Sequence, residues 1–159
     1  MSLYSYLLDK AYTYLTRRDQ SELELRQKLA KAIAKYPAPD LLDQTPDDAI
    51  NAIITDLKTQ NLINDAKFAQ VWVESRLRSK PKGKYVLEHE LQQKGISKNL
   101  IHEVLGEQVS PATELESARK LVARRHSKTY EQNARFLQSK GFGFDIIRKA
   151  LKGDPFEEG

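Results

Sequence analysis

The sequence has 159 residues with 40% apolar and 30% charged side chains, enough apolar content for a folded core under an unusually polar surface. It has no cysteine, which excludes a disulfide framework, thiolate catalysis and any cysteine-based zinc or iron–sulfur site. The net charge of +4 is unevenly placed: residues 1–65 hold eight Lys/Arg and ten Asp/Glu, and residues 66–159 hold eighteen and twelve.

Apolar residues return at helical spacing nearly throughout and nowhere alternate in the manner of a strand, so nine helices in three groups of three are predicted. In the first helix Leu7, Ala11 and Leu15 share a face, which runs out between Arg17 and Asp19. Asp9 lies inside this amphipathic pattern, so residues 1–18 do not read as a signal peptide. Ser21 followed by Glu24 is a capping box for the second helix, with Leu25, Leu29 and Ile33 as its stripe and Tyr36-Pro37-Ala38-Pro39 as its end. Thr45-Pro46-Asp47-Asp48 opens the third helix, whose buried positions are Ile50, Ile53, Ile54 and Leu57.

Asn64 or Asp65 caps the fourth helix, and Phe68, Ala69, Trp72, Val73, Arg76 and Leu77 mark one side of it. Pro81 and Gly83 break that helix. The fifth carries Val86, Leu87 and Leu91 and stops at Gly95. Ser97 caps the sixth, built on Leu100, Ile101, Val104 and Leu105, and residues 106–110 are expected to form the linker to the third group. Ser110-Pro111 starts the seventh helix, with Ala118, Leu121 and Val122 inward. Phe136 and Leu137 serve the eighth, and Ile146, Ile147, Ala150 and Leu151 the ninth.

The groups are copies of one unit. Leu91, Lys94, Gly95, Ile101, Val104 and Leu105 recur as Leu137, Lys140, Gly141, Ile147, Ala150 and Leu151, at a constant offset of 46 residues. Such a period marks stacked helical units that cannot bury an apolar face alone. Ala11, Tyr14, Leu15 and Arg18 likewise match Ala69, Trp72, Val73 and Arg76, then Ala118, Leu121, Val122 and Arg125. The expected organisation is repeat 1 at 1–60 with an insertion near 34–45, repeat 2 at 61–108, repeat 3 at 110–153 and a disordered tail at 154–159.

Two basic clusters stand out: Arg76, Arg78, Lys80, Lys82 and Lys84, then Arg119, Lys120, Arg124, Arg125 and Lys128. Both belong to the later repeats and are candidate anion-binding surfaces. Catalytic chemistry is not indicated. His89, His102 and His126 lack ligand spacing, Glu22/Glu24 and Glu88/Glu90 diverge around their helices, and no nucleophile elbow or phosphate loop is present. A non-enzyme without metal or cofactor is therefore expected. No segment has the roughly 20 apolar residues of a membrane span, so a cytoplasmic protein with no membrane partner is expected. Trp72 reads as core, and Tyr85 as an open position able to stack on bases.

Taken together, these residues resemble the RecX family of bacterial regulators of the RecA recombinase. The resemblance runs from about Ala11 to Leu151 and rests on four stretches in order: residues 17–29 (RRDQSELELRQKL), residues 62–69 (LINDAKFA), Lys82-Gly83 with residues 90–96 (ELQQKGI), and Lys140-Gly141-Phe142 with Asp145-Ile146-Ile147. It implies tandem three-helix repeats in an elongated, curved array that binds the RecA–DNA filament along its groove. It also implies inhibition of RecA's ATPase, strand exchange and coprotease activities, with direct, salt-dependent binding to single- or double-stranded DNA in some members. Carried over by position, Arg76, Lys82, Lys94, Arg125 and Lys140 lie on the filament-facing side.

The sequence departs from that pattern in the 34–45 insertion and in Glu131-Gln132-Asn133, where more basic character is expected. A monomer is expected. Two other readings fit the residues: a helical module that acts on DNA alone, and a protein adaptor for which both basic clusters are ordinary surface. Against the first, no helix presents the mixture of Arg, Asn and Gln that reads bases.

Overall fold

The computed structural model describes residues 1–152, and among them every regular element is helical. The helices are α1 (Leu3–Arg17), α2 (Glu22–Ile33), α3 (Pro46–Thr59), α4 (Asp65–Ser79), α5 (Lys84–Gln93), α6 (Lys98–Gln108), α7 (Pro111–Ala123), α8 (Tyr130–Ser139) and α9 (Phe144–Lys152). A single 3-10 turn, Pro39–Leu41, lies within the insertion. The chain is thus all-α, built from three tandem three-helix repeats. The expected tail at 154–159 lies outside the described residues.

Most helix starts are set by a side-chain oxygen that accepts an otherwise unsatisfied amide, a contact worth about 1 kcal/mol. Ser2, Ser21, Thr45, Ser97, Ser110 and Thr129 each accept from the backbone N–H three residues on. Ser21 and Glu24 form the predicted capping box. Thr129 and Gln132 form a second, which gives the polar stretch Glu131-Gln132-Asn133 a helix-starting role. For α4 the cap is Asn64, whose Oδ1 accepts from Lys67 N at 3.1 Å. Asp65 instead accepts from the Glu22 amide at 2.9 Å, tying the start of α4 to the start of α2.

Residues Met1–Phe68 form one compact unit and the residues from Ala69 onward a second, with the boundary inside α4. In the first unit α1, α2 and α3 pack on one another around Leu3, Leu7, Leu25, Leu29, Ile53 and Leu57, all fully buried. Tyr36 closes this core. It donates its hydroxyl to Met1 O at 2.8 Å and meets the Tyr6 ring edge-on at 5.3 Å. The helix preceding it ends at Ile33, three residues before the predicted stop. In the second unit Leu87 and Leu91 of α5 and Ile101, Val104 and Leu105 of α6 are buried. Ala118, Leu137, Phe142 and Ile147 join α7, α8 and α9 in a separate cluster.

Gly95 and Gly141 follow the ends of α5 and α8 with φ of 78° and 92°, the left-handed conformation that stops a helix. These helices end two residues past Leu91 and Leu137. Without a glycine after Lys28, α2 runs eight residues past the equivalent Leu25. The expected linker at 106–110 is shorter than the sequence reading. Gly106 is helical, α6 continues to Gln108, and Val109 is buried, so only Val109 and Ser110 separate α6 from α7. One glycine in a helix interior costs only about 1 kcal/mol, and the neighbouring apolar residues Leu105 and Val109 carry the helix through it.

Candidate anion-binding site

Helix α5 starts from Gly83, a cap residue that offers no side-chain oxygen. The third repeat supplies what is missing. Gly83 N–H donates to Lys140 O at 2.7 Å, Tyr85 N–H to Gly141 O at 3.1 Å, and Lys84 N–H to the Glu114 carboxylate at 3.4 Å. The two backbones come so close that a β-carbon on Gly83 would lie 2.2 Å from Gly141 C, and one on Gly141 would lie 2.5 Å from Val86 N. Glycine at both positions is therefore a steric requirement. Glu114 is buried to reach this helix start, and that burial raises its pKa while the Lys84 amide and charge oppose the rise.

This junction brings basic side chains together. Lys82 and Lys140, each next to one of the paired glycines, are neighbours. Burial, the adjacent Lys140 charge and then Arg76 hold the Lys82 ammonium below the usual lysine pKa, with Glu90 opposing them. Arg76 donates to Glu90 Oε2 at 2.5 Å and lies 5.0 Å from the Trp72 ring centre, and Lys94 lies 5.1 Å from the same ring. In the third repeat Arg125 lies 4.0 Å from the centre of the Phe136 ring, and Lys140 lies 5.5 Å from it. Arg125 also donates through Nε to Asn133 Oδ1 at 3.1 Å. Arg76, Lys82, Lys94, Arg125 and Lys140 are all half-buried. A cation over an aromatic face in this setting is worth roughly 0.5–2 kcal/mol, which fixes the long side chains in place.

The other sequence candidates lie elsewhere. Arg78, Arg124 and Lys128 are exposed. Arg119 and Lys120 occupy an exposed face of α7, where Lys120 pairs with Glu116 at 3.2 Å. Lys84 opens α5 beside Glu114. Trp72, expected in the core, is only half-buried, and its ring meets two cations, Arg76 and Lys94.

Repeat symmetry shows where the third repeat differs. Glu24 and Glu90 occupy equivalent positions, each one residue before the matched leucine, and each pairs with its repeat's arginine: Arg18 at 2.7 Å and Arg76 at 2.5 Å. Phe136 stands at that position in the third repeat. Arg125 consequently has a ring and an amide where the other arginines have a carboxylate, and among the described residues neither Arg125 nor Lys140 forms an ion pair. The first-helix aromatics Tyr14 and Trp72 give way to Leu121, so the ring that carries the cations has moved from the first helix of the repeat to the second. Aligning Glu24, Glu90 and Phe136 is the sequence signal for this change.

Chemically, the cluster can hold phosphate or carboxylate groups. Among the described residues no group of three His, Asp or Glu is arranged to hold a metal ion, and no helix is long and apolar enough to cross a membrane.

Fold and site define an all-helical, tandem three-helix-repeat protein with a basic cluster where its second and third repeats meet. Residues 64–105 match the family described as RecX, second three-helix domain. The regulatory protein RecX of Chlorobium phaeobacteroides is 35% identical over 147 residues, covering 90% of this chain and 89% of that protein. That of Prosthecochloris aestuarii is 32% identical over 151 residues, covering 91% and 90%. The crystal structure of RecX from Lactobacillus salivarius superposes with a TM-score of 0.76 at 24% identity, over 94% of this chain and 95% of that one, a likeness of fold. The chain belongs to the RecX family of regulatory proteins. It spans 50% to 65% of the length of other curated relatives that it matches.

Proposed function

We propose that this protein binds the filament that the RecA recombinase forms on DNA and restrains its ATPase, strand exchange and coprotease activities. Membership of the RecX family supports the partner. The observation that supports the mode of binding is the gathering of Arg76, Lys82, Lys94, Arg125 and Lys140 at the second and third repeats, with Arg125 and Lys140 in no ion pair among the described residues. The filament is long and polyanionic where it exposes phosphate, and tandem repeats set cations along such a partner at intervals. Several modest contacts then add without a deep pocket. The repeats that carry this function span 1–60, 61–108 and 110–153, and the chain acts as a cytoplasmic monomer.

Titrating the protein into RecA turning over ATP on single-stranded DNA, with binding to the bare DNA followed in parallel, tests this reading. Inhibition at concentrations far below those that cover the DNA is the expected result. Inhibition only as bare DNA becomes covered would instead mark a module that acts on DNA alone. If phosphate contacts dominate, affinity falls with salt by a log–log slope of about −0.7 per contact on single strands, and a flat response contradicts the electrostatic part.

A further inference from the structure

Lys82 is held on both sides along the chain, because its neighbours Pro81 and Gly83 are both buried. The Gly83 amide donates to Lys140 O at 2.7 Å, and the approach is fixed by backbone, since a β-carbon on Gly83 would lie 2.2 Å from Gly141 C. The main chain of Lys82 is therefore pinned against that of Lys140, and their half-buried amino groups are neighbours. Arg76 adds a third positive charge, and Glu90, which holds Arg76 through Oε2, opposes them. Lys80, two residues earlier, follows the end of α4 and is exposed. The same short stretch thus presents one lysine to water and packs another against a second cation.

A lysine placed beside another cation and partly withdrawn from water gives up its proton more readily than an exposed one. Burial first, and the Lys140 charge second, lower the Lys82 pKa, so more of this amine carries a free lone pair near neutral pH. Lys140 lies 5.5 Å from the Phe136 ring centre and forms no ion pair among the described residues, so it can take a phosphate group beside that nucleophile. A small molecule that joins a phosphate to an electrophilic carbonyl carbon fits both groups at once. We infer that Lys82 is a modification site for acyl phosphates, with Lys140 holding the phosphate while the Lys82 nitrogen attacks the acyl carbon. The nitrogen lone pair forms the amide C–N bond, the bond from the acyl carbon to the phosphate oxygen breaks, and the amine proton leaves with the phosphate. The product is an uncharged amide, so the basic cluster loses one cation. What that loss does to the recombinase rests on the proposed function, whereas the site itself does not and is tested without the recombinase.

The test incubates the full chain with acetyl phosphate near neutral pH and follows acetylation at Lys80, Lys82, Lys128 and Lys140 by peptide mass spectrometry. Lys82 should be acetylated severalfold faster than the exposed Lys80 and Lys128. Inorganic phosphate, added at constant ionic strength, should slow Lys82 and leave Lys80 unchanged. Lys140→Gln should bring Lys82 close to the rate of Lys80, and Lys140→Arg should keep most of its advantage. Circular dichroism confirms that both variants are folded, and the phosphate competition needs no variant. A Lys82 rate no higher than that of Lys80 overturns the inference, as does preferential acetylation of Lys140. So does an advantage at Lys82 that neither inorganic phosphate nor Lys140→Gln reduces.

Discussion

Gly83 and Gly141 belong to different repeats, yet their backbones touch: a β-carbon on Gly83 would fall 2.2 Å from Gly141 C, and Gly83 N–H donates to the neighbouring Lys140 O at 2.7 Å. The obstacle is backbone, so no side-chain rotation relieves it. Gly83→Ala should lower stability by about 1–3 kcal/mol. Gly106, which has nothing within 4 Å of its β-position and lies inside α6, is the control. Gly106→Ala should raise stability by roughly 0.5–1 kcal/mol. Denaturant unfolding followed by circular dichroism reads both, and equal effects of the two substitutions would contradict the close approach.

Glu114 gives the same junction a pH dependence. Burial raises its pKa, so the folded state holds the proton more tightly than the unfolded chain does. The resulting stabilisation is fully present below the ordinary glutamate pKa and is lost as the pH rises through the raised value. Glu114→Gln keeps an acceptor for the Lys84 amide and removes the ionisation. The wild type should lose stability relative to this variant across that interval, and parallel stability profiles would exclude the effect.

The exchange of Glu90 for Phe136 between repeats predicts opposite results from two substitutions. Phe136→Glu gives Arg125 the carboxylate that Arg18 and Arg76 already have, and should reduce the salt slope of single-strand binding by about 0.7. Glu90→Gln releases Arg76 and should strengthen binding severalfold. Affinity measured at a series of salt concentrations checks both, and an unchanged slope for Phe136→Glu would show that Arg125 meets no phosphate.

Helix positions were legible in the sequence because local chemistry sets them: Ser21 with Glu24, Thr45 with Pro46 and Ser110 with Pro111 cap helices as their spacing predicts. Boundaries were less legible where tertiary packing decides, as at Gly106, where buried Leu105 and Val109 carry α6 through the predicted linker. At the site, the recurring Lys-Gly pairs were visible. That Gly83 and Gly141 meet was not, because nothing in a linear pattern states which copies touch. Charge runs also mixed half-buried Arg76 and Lys82 with exposed Arg78, a distinction that depends on Trp72 one turn earlier in α4 and on Glu90 and Lys140 arriving from elsewhere in the chain.

The central claim is that the clustered cations, and not basic charge in general, engage the proposed recombinase filament. The direct measurement is RecA ATPase on single-stranded DNA titrated with the wild type, with Arg125→Ala/Lys140→Ala and with Arg119→Ala/Lys120→Ala, each pair removing two positive charges. The account predicts that the first pair loses inhibition by about tenfold or more in concentration, as expected for two lost charge contacts, while the second inhibits like the wild type. Equal loss from both pairs, or none from the first, would contradict it.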